Sequence, residues 1–198
     1  MVLTEGKNDC HVIASLCKRH NVPQVFGFYD CGSDDKVLKR LSALIAGSEP
    51  VDVIGVILDS DNPNLKARWR ALKRRLLKED YQLPQRPESN GTIVSIPGKP
   101  TVGIWLMPDN KMDGMLEDFC LELVDENLIV FSSECVQEAE RRGISAFIDS
   151  HRSKAVIHTF LAWQDEPGMP LGQAITARAL DGDKPLAREF SEFLKRLF

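Results

Sequence analysis

Residues 51–62 read Val51-Asp52-Val53-Ile54-Gly55-Val56-Ile57-Leu58-Asp59-Ser60-Asp61-Asn62. Apart from Asp52, the run carries no polar alternation, the pattern of a strand covered by helices on both faces of a parallel sheet. Asp59 and Asp61 follow where that strand leaves the sheet, and open α/β sheets bind ligands beyond the carboxyl ends of their strands. Alternate extended residues share a face. If extended backbone persists through Ser60, both carboxylates face one hard cation of the kind that takes oxygen ligands; otherwise Asp-x-Asp is a solvated turn that caps the next helix.

Other acidic positions bear on that choice. Glu5 follows Val2-Leu3, Asp30 follows Val25 to Tyr29, and Asp109 follows Ile104 to Met107. Four predicted strands thus release carboxylates at one end of the sheet. Like charges are costly to gather unless a cation, a proton or wide spacing relieves them. Asp9 lies one helical turn beyond Glu5, either joining it at a metal or serving as a first-turn charge.

The chain has 198 residues, 25 basic and 29 acidic, for a formal net charge of −4, with 43% apolar residues. It suits one domain with elaborations, spanning 1–198, better than two equal ones. The charge balance excludes a protein that coats nucleic acid by charge alone, yet permits a local basic track. Cys10, Cys17, Cys31, Cys120 and Cys135 are odd in number and form no Cys-x-x-Cys pair, so they read as buried or incidental thiols in a reducing compartment. The apolar stretches are too short for a bilayer, which makes a cytoplasmic soluble protein the expectation. Oligomeric state is left open.

In chain order, Met1 to Thr4 make an unusually short opening strand: either it is stunted or the natural reading frame begins earlier. Gly6 permits a sharp turn into a helix with Val12, Ile13, Leu16 and Cys17 on its apolar stripe. Val25 to Tyr29 is the second predicted strand. Ser33, Asp34 and Asp35 open a helix that Gly47 and Pro50 end. His11 and His20 have no metal-pair spacing and suit surface or interfacial roles. A basic helix runs from about Leu65 to Lys78. Its Leu65, Trp69, Leu72 and Leu76 face inward, while Arg68, Arg70, Arg74 and Arg75 are candidates for nucleic-acid phosphate contact.

Tyr81 to Asn90 is a loop and a candidate lid or specificity segment. Thr92 to Ile96 and Thr101 to Met107 read as strands joined by Pro97-Gly98-Lys99-Pro100, a hairpin added at the sheet edge. Glu117 and Asp118 open a helix electrostatically, or a carboxylate there completes a second metal position. Leu128 to Phe131 reads as a short strand or buried loop. Helices near Cys135 to Arg142, Lys154 to Gln164 and Ile175 follow, with His158 placed in polar contacts beside Trp163. A final amphipathic helix carries Leu186, Phe190, Phe193, Leu194 and Leu197.

Glu5-Gly6-Lys7-Asn8-Asp9 and Asp59-Ser60-Asp61, each placed after a strand, resemble the topoisomerase-primase, or TOPRIM, domain. Gly114-Met115-Leu116-Glu117-Asp118 and Lys154 are closer to the branch found in overcoming-lysogenization-defect nucleases and related small uncharacterised proteins. The resemblance implies an α/β fold of TOPRIM-like Rossmannoid type, mostly parallel and helix-covered, with a C-terminal helical elaboration. It also implies a divalent-metal-dependent nuclease that hydrolyses nucleic-acid phosphodiesters. Carried onto this chain, it makes Glu5 a metal-associated acid or base. Asp9, Asp59 and Asp61 organise Mg²⁺ or Mn²⁺, Glu117 is a further ligand, and Lys154 stabilises phosphate charge.

No Gly-rich Walker sequence ending in Gly-Lys-Ser/Thr is present, so any ATPase motor would be a separate partner. The substrate would be DNA or RNA. The alternative is a noncatalytic TOPRIM-like nucleic-acid-binding or regulatory module. An aspartyl-phosphatase is disfavoured, because Asp59-Ser60-Asp61-Asn62 lacks the continuation of Gly followed by Thr or Val, and no activated Ser or Cys constellation replaces it.

Overall fold

The computed structural model describes residues 1–47 and 51–198; Pro50, expected to help end the second helix, lies outside the described residues. The elements run β1 (Val2–Thr4), α1 (Lys7–Arg19), β2 (Phe28–Asp30), α2 (Asp34–Ala46), β3 (Val53–Asp59), α3 (Leu65–Leu77), β4 (Thr92–Val94), β5 (Thr101–Met107), α4 (Leu116–Leu121), α5 (Glu126–Arg141), α6 (Arg152–Leu161), α7 (Leu171–Thr176) and α8 (Pro185–Leu197), with a 3₁₀ turn at Asp149–His151 before α6. The five strands form one sheet in the order β2-β1-β3-β5-β4. All neighbours are parallel except β4, which runs antiparallel to β5 with Thr92 opposite Ile104 and Val94 opposite Val102. This is a mostly parallel α/β sheet flanked by helices, with a hairpin at one edge.

Strand periodicity sorts the core onto two faces. On β3, Ile54, Val56 and Leu58 pack with α2 and α3 through Val37, Leu41, Trp69 and Leu72. Ile57 on the same strand, with Trp105 and Met107 of β5, packs on the other face against α1, α4, α6, α7 and α8. The C-terminal helix is held there by aromatic contacts, with the Trp105 and Phe190 rings 5.1 Å apart, edge to face. Its approach depends on two glycines that are cross-strand partners, Gly55 and Gly103. A Cβ on Gly103 would stand 2.4 Å from a Leu197 methyl group, so the bare backbone forms the slot that α8 enters.

Three expectations are corrected. The second strand is shorter than Val25–Tyr29: pairing begins only at Phe28, and Val25 is exposed, because β2 is an edge with a partner on one side alone. Leu128 to Phe131 is neither strand nor buried loop but the opening turns of α5, with Leu128, Val130 and Phe131 all exposed. Asp125 caps that helix by accepting the Asn127 N–H at 3.0 Å, and this local start outweighs the β-rich composition. His158 is exposed, and the ring beside Trp163 is that of Phe131.

All five cysteines are free; Cys17, Cys31 and Cys120 are buried. Among the described residues, no helix is long and apolar enough to cross a membrane.

Candidate functional site

Because β1, β2, β3 and β5 are parallel, the residues that follow them emerge at one end of the sheet. Asp59 ends β3 opposite Met107 of β5, and Glu5 leaves β1, the neighbouring strand on the other side. Glu5 Oε1 accepts the backbone N–H of Asp59 at 2.8 Å, tying the two strand ends together. Asp9 sits at the third position of α1, and its Oδ2 accepts the Gly6 N–H at 3.1 Å, so the device that starts the helix also points a carboxylate back at Glu5. Asp59 Oδ1 accepts the Leu116 N–H at 2.9 Å, fixing the start of α4 against the end of β3. Glu117, the next residue, is buried, and its Oε1 pairs with Lys154 Nζ of α6 at 3.2 Å.

These side chains line one pocket of about 340 Å³: Glu5, Asp9, Asp59, Glu117 and Lys154. Lys7 and Asn8 join them. The last two were not singled out from sequence, although both lie inside the Glu5–Asp9 motif; as exposed helix-start residues they carry no hydrophobic signal of their own.

Crowding and burial show in the electrostatics. Desolvation, reinforced by the charges of Asp9, Glu5 and Glu117, raises the Asp59 carboxyl to about 9 against the Leu116 hydrogen bond. Desolvation, with Glu5 and Glu117 nearby, raises Asp9 to about 7. Burial also raises Glu5, opposed by the Asp59 N–H and by Arg68. Each effect is the response of an acid removed from water beside like charges.

Asp61 does not line this pocket. The side chain of Ser60 is fully buried and its hydroxyl donates to Met107 O at 2.6 Å and Met112 O at 2.9 Å. Strand pairing ends at Asp59, and Asp61 lies near enough to raise Glu5 by its charge. Asp30 and Asp109 serve turns: Asp30 accepts from Gly32, and Asp109 from Lys111 and Met112.

The basic helix divides in two. Arg68 is buried, donates from Nε to Asp59 O at 3.0 Å and from its other end to Asp34. It braces the strand end from behind and faces inward with Trp69. Arg70 and Arg74 are exposed and Arg75 is half-buried; Arg70 and Arg74 line a different cleft, described below.

The donor set in the pocket is all oxygen, the chemistry of a hard divalent cation and not of zinc held by thiolates. Among the described residues, no group of three or more His, Cys, Asp or Glu side chains is arranged to hold a metal ion. The two observations are compatible: one oxygen of each of Glu5, Asp9 and Asp59 is engaged by a backbone N–H, and Glu117 is turned to Lys154, which leaves the carboxylates in one pocket without converging on a point.

A family model described as "Protein of unknown function (DUF3226)" matches residues 1–198, and the chain belongs to that family. No curated protein matches, and no solved structure matches.

Proposed function

We propose that this member of the DUF3226 family is a divalent-metal-dependent nuclease that hydrolyses nucleic-acid phosphodiesters, built as one TOPRIM-like domain over residues 1–198 with a C-terminal helical elaboration. The observation that carries the proposal is the meeting of Glu5, Asp9, Asp59 and Glu117, from three separate strand ends and the helices after them, in one pocket with Lys154. Burying that many acids is costly for the fold alone. The upward shifts of Asp59 and Asp9 are the direction that cost takes, and a hard cation would relieve it.

Glu5, Asp9, Asp59 and Glu117 are the residues that would hold Mg²⁺ or Mn²⁺, with Asp61 at the rim. Bound there, a divalent cation supplies Lewis acidity toward a phosphoryl oxygen and a more acidic water. The chain's own groups do the rest. Glu5 Oε1 accepts the Asp59 N–H, which ties the Glu5 carboxylate to the strand end that carries Asp59. Arg68 fixes the Asp59 backbone from the opposite side. Lys154, paired with Glu117 Oε1 at 3.2 Å on the pocket wall, would neutralise the negative charge of a phosphate held there. DNA or RNA is the substrate class, and any ATPase motor or regulatory protein acting with it would be a separate partner, since the chain carries no Walker sequence.

A noncatalytic nucleic-acid-binding or regulatory module is the second reading, favoured by the lack of a three-carboxylate cluster among the described residues. Cleavage of labelled single-stranded and duplex DNA and RNA in Mg²⁺ or Mn²⁺ separates the two. Turnover that vanishes in Asp59→Asn and in chelator supports hydrolysis. Binding without turnover on all four substrates refutes it.

A further inference from the structure

Another cleft, of about 670 Å³, shares no residue with the carboxylate pocket. One wall is a face of α3 on which Arg70, Lys73, Arg74 and Leu77 recur at helical spacing. Opposite stands the segment after α3, which contributes Gln82, Leu83 and Gln85. That segment is pinned at three points. Trp69 Nε1 donates to Pro84 O at 3.2 Å, Tyr81 Oη donates to Pro100 O at 2.6 Å, and Lys73 Nζ reaches Gln85 Oε1 at 3.5 Å. The cleft is thus a built feature with a fixed far wall.

Its chemistry is lopsided. Among the described residues, three cations and two amides line it, and no carboxylate does. Leu77, at 63% exposed, is an apolar side chain that nothing among the described residues covers. A ligand that fits has an anionic end for the guanidinium forks, a flat apolar body for Leu77 and Leu83, and polar edges for Gln82 and Gln85. A nucleoside phosphate has all three. The volume suits one such unit, within the range of about 300–1,000 Å³ for small-ligand pockets, and not the width of a duplex.

Position favours a strand over a free nucleotide. α3 is fastened to the carboxylate rim by the Arg68 Nε bond to Asp59 O. Arg68 and Arg74 are separated by only about 9 Å of helix rise. The cleft lies on the side of α3 turned about 200° from Arg68, so this fastening fixes the helix that carries the cations, and Arg70 and Arg74, one helical turn apart, can meet successive phosphates of a strand.

We propose that the cleft of Arg70, Lys73, Arg74, Leu77, Gln82 and Gln85 holds an unpaired nucleotide of a single-stranded nucleic acid. The single-strand preference deepens the nucleic-acid reading above, and the cleft's affinity stands whether or not the carboxylate pocket hydrolyses.

The test is fluorescence anisotropy on the full chain in chelator, with labelled single-stranded DNA and RNA of about 12 nucleotides, a length typical of single-strand sites. The duplex of the same sequence and adenosine monophosphate serve as competitors. The double variant Arg70→Ala/Arg74→Ala removes two exposed side chains and should weaken single-strand binding about tenfold or more. Arg141→Ala/Arg142→Ala, the same charge change on α5, should stay within about twofold of the parent. Three outcomes overturn the proposal: an unaffected Arg70→Ala/Arg74→Ala variant, an equal loss in the α5 variant, or competition by duplex or mononucleotide as strong as by the single strand. Cleft-dependent binding with no cleavage in any metal refutes the hydrolase and leaves the cleft. Metal-dependent cleavage with cleft-independent binding does the reverse.

Discussion

Glu5 Oε1 and the backbone N–H of Asp59 are 2.8 Å apart although 54 positions separate the two residues. That bond lies across the ends of β1 and β3, and it makes the acidic pocket a property of the sheet and not of a loop. A carboxylate held by a rigid strand end keeps its place when its charge is relieved, which is what a preorganised centre requires.

Without a cation, the pocket should make the fold weaker as pH rises. Asp59 is raised from an ordinary 3.8 to about 9, and Asp9 from 3.8 to about 7. Above pH 4 the unfolded chain therefore sheds protons that the folded chain retains, so stability falls with pH until each folded value is passed. Thermal melts in chelator should show the highest midpoint near pH 4–5 and a decline up to pH 9, provided other groups are matched by comparison with Asp59→Asn. That variant should flatten the decline and melt a few degrees higher at pH 8, and Mg²⁺ should raise the parent at pH 8 but not the variant. A parent and variant with parallel pH profiles would contradict the assignment of the slope to Asp59.

Arg68→Ala should destabilise by about 2–4 kcal/mol, since it leaves Asp34 and the Asp59 carbonyl without a partner. Arg68→Lys should not restore stability, because one ammonium cannot span both acceptors. Urea unfolding checks both. Parent-like midpoints would place Arg68 with the solvated cations of α3.

Gly103→Ala should cost about 1–3 kcal/mol by driving a methyl group into Leu197, as overpacking of a tight contact does. Leu197→Ala relieves that clash, so the double variant should recover part of the loss, measured as a double-mutant cycle in denaturant. Strict additivity would mean that α8 does not seat over the two glycines.

Lys154→Met should separate cation binding from turnover. It removes the group that competes for Glu117 Oε1, so divalent affinity is kept or rises, while cleavage falls by about tenfold or more with loss of a charge aimed at phosphate. Calorimetric titration of Mn²⁺ beside a rate measurement reads both. Loss of cation affinity together with rate would make Lys154 a support of the pocket only.

Much of this was legible from residues alone, for physical reasons that can be located. Val53 to Leu58 and Val102 to Met107 are apolar throughout because both faces of β3 and β5 are covered, and such runs announce themselves. β2 and the start of α5 did not, because an edge strand and an exposed helix turn obey weaker patterns that tertiary context decides. Spacing alone suggested that Asp59 and Asp61 would face the same way. Asp59 lines the pocket and Asp61 does not, and the Ser60 hydroxyl between them is bound to two carbonyls, a contact that no periodicity encodes. Arg68 is the same lesson: it resembles its basic neighbours in sequence, but Asp34 and Asp59 turn it inward.

The central claim, that Glu5, Asp9, Asp59 and Glu117 close around a hard ion, is tested most directly by soaking crystals of the protein in Mn²⁺ and measuring anomalous scattering. A peak bound by Glu5 and Asp59 with at least one oxygen from Asp9 or Glu117, the latter swung away from Lys154, is the predicted result. Saturating Mn²⁺ with no peak in this pocket, and Glu117 still paired to Lys154, would contradict it.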